Sequence, residues 1–450
     1  MAKRPANMIY GVEDRPPPGV LILLSIQHIF LMSSSLVLPV VLIREIGGSF
    51  DEVQAVVALT MIACGVGTML QALRWRGIGS GFLCPNLCGP NFFGACAQAA
   101  WLGGLPLMNG MTVFAGIVEC LLSRCIHRIA FLFPTEITGL VVLMVGESLI
   151  RLGISKFFGA NYPSEAIQTL DLIVASLTLA VMVGVGVQKT GRLRLYGALL
   201  GLISGYAFSI LTGLLGRDAW EKVASAGWLA LPNHSGMWNY SFEWSLVPTF
   251  TIVSLCGALK TYGNLILCEK VNDEDWKQSD PGRIGGGMMA DGICVTVSGA
   301  IGGMASDTSA SNVALSSATG ATSRWIGGGA GLLYILLGFS PKLSSIMSIM
   351  PRPVMGAILV YVTCFMLLSG LSIVMASKID QKKTFVIGLS LVFGLSVDLL
   401  PEVYAKVDPL LRPIFSSSLV FATVMAVVLN QVLRLVDRVE THGQNPSTDR

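Results

Sequence analysis

Charged side chains are scarce in this 450-residue chain: Asp, Glu, Lys and Arg together make up only 13% of it. A soluble domain carries about 25% charged residues. Apolar residues account for 53% of the sequence, and the mean hydropathy is +0.68. This composition excludes an ordinary soluble protein and predicts a polytopic membrane protein with most of its mass in the bilayer.

Several classes of site are also missing from the sequence. The ten cysteines lie almost entirely in apolar runs without a Cys-x-x-Cys pair, so we expect buried thiols rather than disulfides or metal ligands. Only four histidines are present, and no nucleophile–base pair is recognisable, so we expect no enzyme, no metal and no cofactor. The net charge of +3 without a basic stripe argues against a nucleic-acid partner.

We predict fourteen membrane-spanning segments, since a helix crosses a bilayer with about 17–25 residues. The third and tenth are short, polar and broken by Pro or Gly, and hydropathy alone would identify neither. The polar start through Pro18 contains no cleavable signal, so the first apolar run is a retained span. The segments are about 20–43, 53–72, 79–100, 105–123, 134–150, 166–187, 195–215, 246–268, 285–304, 307–321, 325–340, 353–375, 384–400 and 413–433.

The distribution of basic residues sets the predicted orientation. An even number of spans puts both termini on one side. With that side cytoplasmic, twenty of the thirty Lys and Arg residues fall inside and nine outside, as the positive-inside rule requires. The remaining one, Lys260, lies within a span. We therefore expect a multi-pass plasma-membrane protein with both termini cytoplasmic; in a Gram-negative bacterium this is the inner membrane.

The spans form two weak halves. Seven precede the long loop 216–245 and seven follow it, and the third of each half (79–100 and 307–321) is polar and broken. An odd number of spans per half forces opposite orientations, so the repeat is inverted. Met304–Gly320 is small and polar, and hydrocarbon cannot satisfy its backbone and hydroxyl groups. This stretch is therefore expected to line a solute-binding site.

Lys260 and Asn264 share one face of the eighth span, because they are four residues apart. A lysine inside the bilayer needs a partner or a cavity. Lys260 is thus either a counter-ion for an anionic solute or a structural partner of Asp291 or Asp307.

Asp291 and Asp307 are candidates for carrying a proton or binding a cation. For Asp307 the sequence leaves a second role open, as a helix N-cap. In the first span, Gln27 and His28 either bind the solute or form a packing pair.

The third span is interrupted by Pro85-Asn86 and Pro90-Asn91. Freed N–H groups and half-helix N-termini at such a break favour a solute rich in carbonyl groups or negative charge. Phe92 or Phe93 either stacks on a flat ring or simply packs.

Six short motifs resemble the nucleobase–ascorbate transporters, also called the nucleobase:cation symporter-2 or xanthine/uracil permease family. The resemblance covers about 20–435 and rests on the order and spacing of these motifs. They are Gln27-His28, Gly79-Ser80-Gly81, Phe133–Gly139, Ala290-Asp291-Gly292, Ser311–Gly320 and Met350–Gly356.

The resemblance implies an all-α fold of fourteen spans, arranged as a 7+7 inverted repeat with core and gate domains. The core would comprise spans 1–4 (20–132) and 8–11 (246–341). The gate would comprise spans 5–7 (133–215) and 12–14 (342–435). Tails 1–19 and 436–450 would be cytoplasmic, and loop 216–245 extracytoplasmic. The family imports uracil, xanthine or urate with protons, or ascorbate with sodium, often as homodimers.

The chain departs from the family pattern at two main points. Lys260 stands where the family has a base-binding Glu, and an ammonium group cannot accept an N–H bond. In the signature, Ser311 replaces Gln, Glu or Pro, and Ala314 replaces Gly, while Asn312 and Thr319 match.

The leading hypothesis is a proton-coupled importer of a purine-type base, with urate or xanthine favoured. The coupling ion is expected to be H⁺, with Na⁺ as the other candidate, carried by Asp291 or Asp307. The alternative is a carrier or exchanger of another organic or inorganic anion, with Lys260 as counter-ion. A channel-like protein is a third hypothesis. The predicted substrate-binding residues are Lys260, Asn264, Ser311, Asn312, Gln27, His28, Asn86, Phe92 and Thr319.

Overall fold

The computed structural model describes residues 4–443 apart from 6–7, 130–133, 160–165, 189–195, 234–237, 376–378, 405, 408–414 and 416. The first half contains α1 (Pro18–Ser33), α2 (Val37–Glu45), α3 (Phe50–Leu73), β1 (Asn86–Cys88), α4 (Pro90–Ile129), α5 (Thr135–Ser148), α6 (Ile150–Phe157), α7 (Thr169–Gly186) and α8 (Gly197–Leu211). The second half contains α9 (Arg217–Ser225), α10 (Val247–Asn272), α11 (Pro281–Ile301), β2 (Ser306–Thr308), α12 (Ala310–Thr319), α13 (Arg324–Gly338), α14 (Pro341–Ser348), α15 (Arg352–Met375), α16 (Gln381–Leu399), α17 (Pro401–Tyr404) and α18 (Ser418–Gly443).

The two halves repeat one order of elements. Each begins with helical spans and then continues through a short strand into a half-helix, β1–α4 in the first half and β2–α12 in the second. Within the described residues, nine helical segments are long and apolar enough to cross a membrane, and α13 and α14 form a broken span bent by 81°. The predicted fold class is confirmed: an all-α polytopic protein with a 7+7 inverted repeat and broken third and tenth spans.

Contacts within the chain divide it into two compact units. The first comprises Met1–Arg124 and Leu149–Thr363, and the second comprises Cys125–Ser148 and Cys364–Arg450. All of the predicted site residues belong to the first unit. The division into core and gate stays a prediction. Phe133 of the family motif and residues 444–450 of the predicted C-terminal tail lie outside the described residues.

Local sequence explains where the broken spans begin and end. Proline at position 90 suits the first turn of α4, where its missing N–H leaves no bond unmade. Ser309 caps α12, with its Oγ accepting from Asn312 N at 3.3 Å. The interpretation of Asp307 as the N-cap is therefore wrong, because residues 306–308 are extended and pair with β1. The long α4 is interrupted at Gly104, whose φ of +66° favours glycine.

Close contact between α4 and α11 depends on glycine at position 116. A Cβ placed on Gly116 would overlap the backbone N of Thr296 and lie 2.7 Å from the carbonyl oxygen of Gly292. We expect Gly116→Ala to lower the free energy of unfolding by about 1–3 kcal/mol, because the added methyl group would meet backbone atoms of α11, which can move aside only if the helices separate. Thermal melting of the purified protein in detergent measures the change. Gly184→Ala on α7 is the matched control, since nothing lies within 4 Å of its Cβ position. Equal melting midpoints for the two variants would contradict the expectation.

Candidate functional site

The centre of the first unit is a crossing of two extended segments. β1 and β2 pair in antiparallel fashion, with Asn86 opposite Thr308 and Leu87 opposite Asp307. Helices α4 and α12 begin two residues after their strands, so they leave from opposite ends of the pair. The partial positive charge and free N–H groups of two helix N-termini therefore lie at one crossing.

Lys260 is bonded to Asp307 across this crossing. Its Nζ lies 2.7 Å from Asp307 Oδ1, and the Asp307 side chain is fully buried while that of Lys260 is 14% exposed. Of the two alternatives for Lys260, the structure therefore contains the structural pair, with Asp307 rather than Asp291 as the partner. Lys260 is therefore paired with a carboxyl group and is not an isolated cation at the crossing.

A chain of hydrogen bonds runs from α10 to Asp291 on α11. Asn264 Nδ2 donates to Thr308 Oγ1 at 2.9 Å, and the hydroxyls of Thr308 and Thr261 are 2.7 Å apart. Thr261 Oγ1 donates to Asp291 Oδ2 at 2.5 Å. Asn86 Nδ2 donates to the other oxygen, Asp291 Oδ1, at 2.5 Å. Asp291 thus accepts at both oxygens, from Asn86 and Thr261, and the Thr261–Thr308 bond extends the network to the tenth span.

His28 and Asn312 join the first span to the tenth. Asn312 Nδ2 donates to Ser309 Oγ at 2.9 Å, which leaves Asn312 Oδ1 as an acceptor. His28 Nδ1 lies 2.8 Å from that oxygen, so Nδ1 carries the proton and Nε2 remains an acceptor. Both side chains are buried. The pair fixes the orientation of α12 against α1.

The remaining predicted residues are distributed less closely around the crossing. Ser311 is exposed, with its hydroxyl 3.0 Å from Ser309 Oγ. Gln27 is partly buried beside His28. Phe92 is fully buried and packs against α10 at Gly257. Thr319 donates to its own helix at Leu315 O, and it lies about 14 Å along α12 from Ala310.

Two residues of the network, Thr261 and Thr308, were not singled out from the sequence. A threonine in an apolar span most often donates to the carbonyl four residues earlier, so its presence alone gives no signal. Their positions next to Lys260 and Asp307 are the only hint that the sequence offers.

Among the predicted site residues, three have a buried acceptor atom without a hydrogen-bond partner in the described part of the chain: Gln27 Oε1, Asn86 Oδ1 and Asp307 Oδ2. Buried polar atoms are rarely left unpaired, and each exception indicates a ligand, water or functional role. All three are oxygens. A solute that offers N–H groups would satisfy them.

Comparison with known proteins gives a consistent result. The xanthine/uracil permease model, described as a permease family, matches residues 19–403. Xanthine permease XanP of Escherichia coli K12 is 26% identical over 444 residues, covering 95% of each chain. Uric acid permease PucJ of Bacillus subtilis is 25% identical over 433 residues, covering 94% of each.

Solved structures share the fold at low sequence identity. The transmembrane domain of the cyanobacterial bicarbonate transporter BicA matches with a TM-score of 0.56 and 11% identity, over 93% of this chain and 99% of that one. The murine solute carrier 26 family member A9, an anion transporter in its inward-facing state, matches with a TM-score of 0.63 and 12% identity, over 94% of this chain and 69% of that one.

Proposed function

Since the chain belongs to the xanthine/uracil permease family, we propose that it is a secondary active transporter importing a purine base, urate or xanthine, with protons. The relatives named as xanthine and uric acid permeases support this substrate class. The solute would bind at the crossing of β1 and β2. Transport would follow from movement of the core domain against the gate domain, in a homodimer.

The unpaired acceptors at the crossing are the observation that carries this proposal. Xanthine and urate each present N–H groups beside C=O groups on a flat ring. Their N–H groups would donate to Asn86 Oδ1, Asp307 Oδ2 and Gln27 Oε1, which have no other partner among the described residues. Their C=O groups would accept from Lys260 Nζ or from the half-helix N-termini.

The alternative is a carrier of another anion, with Lys260 as its counter-ion. Its support is weaker, because Lys260 already has a carboxylate partner at 2.7 Å. A fully deprotonated oxyanion such as sulfate also has neither an N–H nor an O–H group, so it would leave the three orphaned acceptors unsatisfied.

Uptake into cells or membrane vesicles tests the proposal. Labelled xanthine, urate and uracil are supplied to cells that express the protein, with and without a protonophore. We expect saturable uptake of xanthine or urate that the protonophore abolishes. If a protein shown to reach the membrane takes up none of these bases, the purine proposal is overturned and the anion alternative gains support.

A further inference from the structure

Glu119 on α4 is a buried carboxyl group that the hydrogen-bond network does not use. Its side chain is 2% exposed, and neither of its oxygens has a hydrogen-bond partner within the part of the chain that the structure describes. A carboxylate in such a place would lose its hydration without compensation, which is among the most costly arrangements in a protein interior. The group therefore calls for a functional explanation.

The carboxyl group occupies a space provided by glycine at position 257 of α10. A Cβ on Gly257 would lie 2.5 Å from Glu119 Oε1 and 3.3 Å from the Phe92 ring. Gly257 stands three residues before Lys260, so both lie on one face of α10. Glu119 is thus placed one helical turn from the Lys260–Asp307 pair, in contact with the eighth span.

Among the residues that the structure describes, the titratable groups that act on Glu119 include no cation. The groups that interact electrostatically with Glu119 are Asp291 and Cys294 on α11, Asp307 on β2 and Cys120 on α4 itself. The nearby lysine of α10, Lys260, is bonded to Asp307. An ionised Glu119 would be a buried negative charge without a paired cation among the described residues, close to the carboxyl groups of Asp291 and Asp307. In this conformation the group is therefore a neutral carboxylic acid that holds a proton.

We propose that Glu119 is the binding site of the transported proton, an inference that rests on the proposed function of proton-coupled transport. The other two carboxyl groups are engaged here, since Asp291 accepts hydrogen bonds at both oxygens and Asp307 is bonded to Lys260. When the site opens to water, the O–H bond of Glu119 breaks and the proton passes to a water molecule. The resulting carboxylate is then solvated. Closure over a dry interior requires it to take a proton back from water.

The test compares wild type with Glu119→Gln, which keeps the shape of the neutral acid but cannot release a proton. Purified protein in liposomes is given labelled xanthine or urate, once with a pH gradient and once under equal pH with unlabelled base inside. One pH unit drives about tenfold accumulation for each coupled proton. We expect Glu119→Gln to lose this accumulation while exchange at equal pH falls far less. Accumulation equal to wild type would overturn the proposal.

A control variant and a substrate-free measurement keep the outcome unambiguous. Glu136→Gln removes another buried carboxylate, one that lies 3.9 Å from Lys383 on α16, and should retain pH-driven accumulation. If wild type transports no purine, the proposed function fails, but Glu119 can still be tested. At neutral pH the infrared C=O stretch of protonated carboxyl groups should contain a component in wild type that is lost in Glu119→Gln. An unchanged band would refute the assignment of the proton to Glu119.

Discussion

Lys260→Gln is expected to destabilise the protein and abolish base uptake, and adding Asp307→Asn is expected to recover the stability. The single variant leaves Asp307 buried with an uncompensated charge, which costs about 3–5 kcal/mol. Asp307→Asn alone leaves Lys260 as a largely buried cation without its carboxylate partner. In the double variant both charges are gone, and an amide pair can replace the ion pair. The double-mutant cycle, measured by melting in detergent, should therefore be strongly non-additive, with a coupling energy of at least about 3 kcal/mol.

Uptake by the same variants separates structure from recognition. If Lys260 contacts the substrate as well as pairing with Asp307, the double variant will be folded but will no longer distinguish urate from uracil as wild type does. Competition assays with charged and neutral bases measure this. A double variant with wild-type selectivity would assign Lys260 a purely structural role. Additive destabilisation by the two single changes would instead argue that the pair is not formed in the membrane.

Asp291→Asn is expected to reduce base uptake about a hundredfold with near-normal expression, since it disturbs two hydrogen bonds to a buried carboxyl group, worth about 1.5 kcal/mol each. The amide oxygen can still accept from one donor. The amide NH₂ would face a second donor, either Asn86 Nδ2 or Thr261 Oγ1. The side chain of Asn86, whose free oxygen is proposed to contact the base, would then lose its fixed orientation.

Thr261→Val is the graded comparison for Asp291→Asn. It keeps the size of the side chain but removes the hydroxyl that donates to Asp291 and links it to Thr308. We expect a smaller loss, about tenfold, seen mainly as a raised KM. If Thr261→Val were as severe as Asp291→Asn, the Thr261 link rather than the Asn86 link would carry the effect.

Much of the fold follows from local sequence, because the hydropathy and length of each span can be judged without knowing which spans it contacts. The third and tenth spans were found through their polarity and prolines rather than their hydrophobicity. The β1–β2 pairing was not predicted, because three-residue strands carry no alternation that marks them and their partners are in different halves of the chain. The same reason misplaced the N-cap of α12, since only the pairing shows that Asp307 is extended and Ser309 is the cap.

The site was predictable as a set of residues but not as a set of contacts. Lys260 was singled out because a lysine is conspicuous in the bilayer, yet the sequence could not choose between Asp291 and Asp307 as its partner. Glu119 gives no comparable signal in the sequence, since a glutamate in an apolar helix has the same sequence context whether or not its carboxyl group is paired in the fold. Its significance depends on Gly257, in a different helix, and on the lack of a hydrogen-bond partner for its carboxyl oxygens among the residues that the structure describes.

β1 and β2 are joined by main-chain hydrogen bonds, and such bonds can form with most side chains at the paired positions. A scaffold joined in this way can exchange most of its sequence and keep its shape, as its likeness to a bicarbonate transporter at 11% identity illustrates. The consequence is practical. We expect that re-engineering the solute preference of this protein will need only the few side chains that are proposed to contact the base. Proline should be kept out of positions 86 and 88, because their backbone N–H groups donate to Thr68 Oγ1 and Ser35 Oγ and so tie β1 to the first two helical spans.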